Sequence, residues 1–492
     1  MKTLFPTRFI YRLSVVLCLS SIYLQAFSQI PQPFRLFLQK PALKGAAVSF
    51  MVKEVSSGNV LYGYETEKEM TPASVMKTVT TATALEILGE DFRFETSVLY
   101  DGEIKNGTLN GNLYLYGSGD PTLNSSELET EKDSILVVWS SAIKQAGIQR
   151  IMGHVIADES IFDTQGVSMK WMREDLGSSY GQGSYGLNIF DNRYSLYLTT
   201  GAVGTQPTLL LTDPPMPLLT FFNYLKTSPA LSDSCDIVGF PFSNERYLYG
   251  LVRTNQSRAQ MTGDIPEPAL YLAQYFSDYL INSGIGVDKS PTCHRLLSLT
   301  GEWPSVERKH LITTTSPPLK EIIRITNVVS HNLYADALLK TLGLRYQSNR
   351  TEVVSSFEKG IRVLKAYWNK QGINTSALWM FDGSGLAITD KVTVDFLCDL
   401  YIYMATKSSV SISYFESLPQ PGIEGTVRNM LKGSSLQGKT RLKSGSMSRV
   451  LCYGGYVTKN GKQYAIALLV NNYSSPQNIM RGAIEELLLA IF

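Results

Sequence analysis

Between Thr71 and Gly89 runs a stretch of helical character with almost no charge; from Ala73 to Leu88 only Lys77 and Glu86 are ionisable. Thr71 can cap such a helix, Pro72 suits its first position, and Gly89 stops it. A helix without a polar face cannot lie on a surface, so it belongs in the middle of a domain, covered all round. Covering it takes a large chain. The 492 residues, 44% hydrophobic and 18% charged, are ordinary globular usage and rule out collagen-like, coiled-coil and disordered classes. At roughly 150 residues per domain, about three domains are expected.

The amino terminus has the three parts of a secretory signal. Lys2, Arg8 and Arg12 precede the apolar run Leu13–Leu19, and Ala26-Phe27-Ser28 offers a small-residue cleavage site before Gln29. The apolar run falls short of the roughly 20 residues that span a bilayer. The chain is therefore expected to be exported to the periplasm or cell envelope, with no transmembrane segment after cleavage. Losing those three cations takes the formal net charge from +2 to −1. Such a chain has no basic surface to neutralise phosphates, which excludes nucleic acid as a partner. The cysteines beyond Cys18 are Cys235, Cys293, Cys398 and Cys452. In an exported protein Cys235 and Cys293 could pair, while Cys398 reads as a buried thiol. Neither these nor the four histidines have metal-ligand spacing, so no metal or other cofactor is expected.

The order of elements suggests an α/β (α+β) domain, an antiparallel sheet flanked by helices, split by a β-rich insertion of one or two small domains. Strands are expected over 46–55 and 60–64 and, across the strong hairpin signal Asn460-Gly461, over 450–457 and 464–470. Helices are expected over 133–146, 319–327, 333–342 and 479–491. The boundaries put a leader at 1–28, the first part of the main domain at 29–92, the insertion at 93–290 and the second part at 291–492.

Ser74 and Lys77 stand at i and i+3 near the start of the apolar helix, so their side chains share one face. A lysine in apolar surroundings loses its proton more readily and can activate a neighbouring hydroxyl. The positive end of the helix lies where an oxyanion would form. Two more groups follow. Ser330-His331-Asn332 falls between two expected helices, where a loop can present a hydroxyl and an amide together. Lys443-Ser444-Gly445 opens a strand and offers a cation, a hydroxyl for a carboxylate, and a glycine that admits a substrate backbone.

Ser-x-x-Lys, Ser-x-Asn and Lys-Ser-Gly in this order resemble the motif set of the penicillin-interacting serine transferases. The long first gap, 256 positions from Ser74 to Ser330 and then 113 to Lys443, is similar to that of the D-alanyl-D-alanine carboxypeptidase/endopeptidase family, peptidase family S13, of the penicillin-binding protein 4 type. Gly117–Leu123 and Asp382-Gly383-Ser384-Gly385-Leu386 resemble that family too. Two departures are a serine, Ser444, where threonine is common, and His331 at a variable position without an implied catalytic role. The resemblance implies a penicillin-binding transpeptidase-like domain and a serine peptidase acting on peptidoglycan stem peptides. Ser74 would attack the carbonyl between two D-alanines, with Lys77 taking its proton. Ser330, bonded toward both Lys77 and Lys443, would relay a proton to the leaving amine, and Asn332 would hold the substrate amide. Lys443 and Ser444 would bind the terminal carboxylate, and the N–H groups of Ser74 and Ser446 would form the oxyanion hole. β-Lactams would acylate Ser74. The alternatives are a catalytically weak penicillin-binding wall protein or a β-lactamase, although no Glu-x-x-Leu-Asn segment lies between Ser330 and Lys443.

Two other motifs match by letter alone. Gly433–Thr440 fits a phosphate-binding loop, but a helical segment over 427–432 is expected before it and a strand after it, the reverse of what phosphate binding needs. Gly177-Ser178-Ser179-Tyr180-Gly181 fits a nucleophile elbow, yet Arg173-Glu174-Asp175 makes a poor preceding strand.

Overall fold

The computed structural model describes residues 31–129, 131–347 and 352–492. The expected leader lies outside them. Among the described residues no helix is long and apolar enough to cross a membrane.

Both ends of the chain build one antiparallel sheet. Its strand order is Thr440–Met447, Val450–Lys459, Lys462–Asn471, Ala47–Glu54, Val60–Tyr64. The turn Asn460-Gly461 has φ of +51° and +74°, the left-handed pair that suits a two-residue hairpin to the twist of its strands. Alternation of side chains gives the sheet two apolar faces. Phe50, Val52, Ile466, Leu468 and Val470 pack with Phe34 and Phe37 of the helix Gln32–Leu38 and with Ile484 and Leu487 of the helix Gln477–Ile491. Met51, Cys452, Ala467 and Leu469 face the other way, into a larger helical layer. In that layer the central helix Met76–Leu88 lies among Leu319–Val328, Asn332–Leu342, Ser356–Lys370 and Val394–Thr406. All ten residues from Met76 to Leu85 are buried, as a helix without a polar face requires.

Four of those ten are threonines, and their hydroxyls are all bonded. Thr78 donates to Val75 O, Thr81 to Lys77 O, Thr83 to Val79 O and Thr80 to Gly383 O, at 2.7–2.8 Å. Donation back to the helix's own carbonyls lets small polar residues sit in a dry core without orphaned groups.

The start of this helix differs from the expectation. Ala73–Val75 is a 3₁₀ turn, with Ala73 at φ +46°, and the α-helix begins at Met76. Thr71 does not cap it. The Thr71 N–H instead donates to Asn471 Oδ1 at 2.9 Å, and Asn471 Nδ2 donates back to Thr71 O at 3.0 Å. The chain is pinned to the sheet before it enters the helix, and the hydroxyl that would cap is taken by Lys391 Nζ at 2.6 Å and donates to Ile388 O at 3.3 Å.

The intervening segment folds about a separate core of residues from Val98 to Cys293. It is rich in strands, as expected, with helices at Ser134–Gln145 and Pro268–Asn282. Its first strand, Glu95–Tyr100, pairs with Lys309–Thr315, which closes that sheet just before the chain returns to the helical layer. Cys235 and Cys293 lie in strands of different sheets, and both are free thiols. Cys398 is buried in the helix Val394–Thr406.

Candidate active site

Ser74 occupies the 3₁₀ turn at the amino end of the central helix, and Lys77 follows one turn later with no exposure to solvent. The Lys77 amine reaches three acceptors: Ser74 Oγ at 2.8 Å, Asn332 Oδ1 at 2.6 Å and Ser384 O at 2.7 Å. These three contacts serve either protonation state. An ammonium donates to all three. A neutral amine donates to Asn332 and Ser384 and turns its lone pair to the Ser74 hydroxyl. Burial lowers the Lys77 pKa to about 8, against the opposing pull of Asp336, Asp382 and Asp390. The amine can therefore lose its proton near neutral pH, where a general base is useful.

The three aspartates are fully buried and held by backbone N–H groups. Asp382 accepts from Gly385 and Ala387, Asp336 from Gly383, and Asp390 from Phe381, all at 2.6–2.8 Å. Together they hold the loop that aims Ser384 O at Lys77.

Lys443, on the edge strand Thr440–Met447, is likewise fully buried. It donates to Ser330 Oγ at 2.9 Å and to Ser444 O at 2.7 Å. Burial, then repulsion from Lys77, pushes its pKa well below the ordinary lysine value. Ser330 thus touches Lys443 but makes no hydrogen bond to Lys77. Asn332 is engaged at both ends, since its Nδ2 donates to Tyr180 O at 2.7 Å. The Ser444 hydroxyl pairs with Thr426 Oγ1 at 2.7 Å, and the exposed Ser446 hydroxyl accepts from Gln477 Nε2 at 2.8 Å. Beside it, Ser446, Met447, Arg449, Tyr473 and Gln477 line a cavity of about 500 Å³.

Gly445 explains how the edge strand comes so close. A Cβ there would stand 2.3 Å from Pro72 O, 2.9 Å from Val75 N and 3.0 Å from Ser74 N. The close approach is made by the protein's own Ser74 turn, where the sequence suggested a substrate backbone. Gly445→Ala should push the strand away from Ser74. An ångström of misplacement can cost about 100-fold in rate, so the acylation by a fluorescent penicillin that the motif resemblance implies should fall by about that factor while the far-UV circular dichroism spectrum is kept. Acylation at the unsubstituted rate would show that this contact does not set the site.

Ser74, Lys77, Ser330, Asn332 and Lys443, spread over 370 positions of sequence, form two hydrogen-bonded sets, Ser74–Lys77–Asn332 and Ser330–Lys443, on elements that meet at the Ser74 turn. The model of the D-Ala-D-Ala carboxypeptidase 3 (S13) family matches residues 34–488. The chain belongs to that family. It is 26% identical over 456 residues to the D-alanyl-D-alanine carboxypeptidase of Actinomadura sp. (strain R39), covering 89% of this chain and 80% of that protein. The crystal structure of penicillin binding protein 4 (dacB) from Haemophilus influenzae superposes with a TM-score of 0.77 at 22% identity, covering 94% of this chain and 98% of that one. A second structure of the same Haemophilus protein, complexed with a β-lactam, gives 0.75 at 21% identity and the same coverage. The fold is thus that of this S13 protein over nearly the whole chain.

In this family member both letter-only motifs lack the required setting. Gly433–Lys439 lies in turns, preceded only by the short 3₁₀ turn Gly425–Val427 where a helical segment was expected, and it runs into the edge strand, so no helix opens on its N–H groups. Ser178 donates to Asp175 O at 2.6 Å within a local turn, and no helix follows it. That same turn nevertheless supplies Tyr180 O to Asn332. Backbone carbonyls such as Tyr180 O and Ser384 O carry no residue-type signature, and motif reading passes over them.

Proposed function

We propose that the protein is an exported serine peptidase that cleaves the D-Ala-D-Ala bond of peptidoglycan stem peptides through an acyl-enzyme on Ser74. The observation that carries this reading is the 2.8 Å contact between the Ser74 hydroxyl and the buried Lys77 amine at the start of the central helix. Ser74 Oγ attacks the carbonyl carbon as its proton passes to Lys77. The carbonyl oxygen becomes an oxyanion facing the N–H groups of Ser74 and Ser446, where each lost donor typically costs about 2.7–4 kcal/mol. The tetrahedral adduct collapses, the C–N bond breaks, and the leaving amine takes the proton that Lys77 accepted from Ser74; Ser330 relays it only by turning its hydroxyl from Lys443 toward Lys77. Water then attacks the ester and frees Ser74.

Recognition of the terminal carboxylate falls to Lys443 and Ser444. An arriving carboxylate would favour the charged form of Lys443 that burial now disfavours. Asn332 holds the substrate amide by exchanging one of its present contacts. The β-lactam complex of the Haemophilus relative supports the corollary that β-lactams acylate Ser74 here.

The decisive measurement is mass spectrometry of purified muropeptides after incubation with the protein. Loss of single alanine residues from pentapeptides is expected for carboxypeptidase action, and conversion of cross-linked dimers to monomers for endopeptidase action. Unchanged muropeptides, from protein that is folded by circular dichroism, would refute the reading.

A further inference from the structure

The loop that presents Ser330 and Asn332 is strained. Ser330 has φ +65°, a conformation that costs a non-glycine residue on the order of 1–3 kcal/mol and persists only where surroundings impose it. Opposite it lies a second strained segment, from the intervening part of the chain. Phe190, Asp191 and Asn192 have φ of +53°, +55° and +50°, three successive left-handed residues, none of them glycine. The two segments meet through buried side chains. His331 is 5% exposed and Asp191 1%, and His331 Nε2 stands 3.4 Å from Asp191 Oδ1, an ion-pair distance, while neither ring nitrogen makes a hydrogen bond.

Around this pair the contacts are dense. The His331 ring packs on Tyr334 with centroids 4.2 Å apart. The Tyr334 hydroxyl donates to Ser125 Oγ at 2.6 Å, and Ser125 Oγ donates to Asp191 Oδ1 at 2.5 Å. Asp191 Oδ2 accepts from Ser126 N at 2.9 Å and from Arg193 at 3.0 Å. Burial alone would raise the Asp191 carboxyl, but His331 and Arg193 hold it below the usual carboxylate range. An anchored carboxylate buried at this contact gives the imidazole one fixed position.

We infer that His331 and Asp191 form a clamp by which the intervening segment holds Ser330 and Asn332 in register with Lys443 and Lys77. His331 lies between Ser330 and Asn332 in sequence, so the clamp acts on both flanking residues at once. It is a positioning residue that does not touch the reacting atoms, and the inference rests on the peptidase reading above. The intervening segment is then part of the catalytic apparatus, joined to the Ser330 loop both here and by Tyr180 O on Asn332.

The test compares His331→Ala, Asp191→Ala and the double variant by the rate of acylation with a fluorescent penicillin and by amide hydrogen exchange at 329–332. Rates are taken well below the melting temperature of each variant. Each single variant should lose about 10- to 100-fold in acylation rate and exchange faster in that loop. The double variant should lose no more than Asp191→Ala alone, because that change already removes the contact His331→Ala breaks, along with those to Ser125, Ser126 and Arg193. His331→Gln, which keeps a donor, should recover part of the rate, which a purely structural loss would not show. Unchanged rate and exchange in both single variants would overturn the clamp, as would losses that multiply in the double variant. If an alanine variant does not fold, His331→Gln and Asp191→Asn are judged by the same criteria. If the unsubstituted protein does not react with penicillin, the peptidase reading fails and the clamp is judged on exchange alone.

Discussion

Ser74→Ala should give a folded protein that no fluorescent penicillin labels, by gel fluorescence or by intact mass. The case for Ser74 is sharper than the motif alone, because the site holds two serine–lysine pairs. Ser330 lies 2.9 Å from the Lys443 amine just as Ser74 lies 2.8 Å from that of Lys77. Both amines are fully buried, so an activated hydroxyl is conceivable at either. The surroundings distinguish them. Ser74 opens the central helix, whose dipole favours negative charge at that end. It also faces the edge strand across the gap that only Gly445 permits. Ser330 lies between the carboxyl end of the helix Leu319–Val328 and the amino end of Asn332–Leu342, whose opposed dipoles give it no net preference for an oxyanion. Persistent labelling of Ser74→Ala would move the nucleophile to Ser330. Folding should survive the change, because a neutral Lys77 still has Asn332 Oδ1 and Ser384 O for its two N–H groups. One lost hydrogen bond is worth about 0.5–1.5 kcal/mol.

The central helix was legible because its lack of charge admits only a buried position, and the terminal hairpin because Asn-Gly admits few turns. Of the candidate site residues, the Ser74–Lys77 contact was legible in their i, i+3 spacing, whereas Ser330, Asn332 and Lys443 were suggested only by the order of motifs that resembles the family. What stayed hidden acts through backbone. Ser384 O and Tyr180 O complete the Lys77 and Asn332 contacts, yet any residue could supply a carbonyl. Asp336, Asp382 and Asp390 fix the loop carrying Ser384, but separated aspartates resemble ordinary surface residues in sequence. Thr71 misled for a similar reason. Its hydroxyl could have capped the helix, but Lys391 Nζ, 320 positions away, takes it at 2.6 Å and it donates to Ile388 O instead. The Ser178 turn was dismissed as a false elbow, correctly as chemistry, and this gave no hint that its next turn residues would reach Asn332. Each of these depends on long-range packing, which residue patterning reports only through apolar periodicity.

Lys77→Met should reduce acylation by about 100- to 10,000-fold, the range in which a positioned general base contributes. Methionine fills a similar volume but cannot accept the Ser74 proton. The pH dependence gives an independent check. With the Lys77 pKa at about 8, roughly a tenth of the amine is in the base form at pH 7 and most of it by pH 9. Acylation in the unsubstituted protein should therefore climb through pH 8 and level off above it, and the residual rate of Lys77→Met should lack that rise. Stability gives the same sign by another route. The folded chain releases this proton at about 8, the unfolded chain near the ordinary lysine value of 10.5. Between those values the unfolded state binds more protons, so resistance to urea should increase with pH across that window. Below pH 8 both states hold the proton, and the folded state bears the full cost of a buried cation. Lys77→Met removes that cost but leaves Asn332 Oδ1 and Ser384 O without their donor, so the expected sign is read from the slope, from which the Lys77 contribution should vanish. A variant that unfolds more readily at pH 7, with the rise of acylation through pH 8 intact, would mean that Lys77 serves packing and that the proton acceptor for Ser74 is another group.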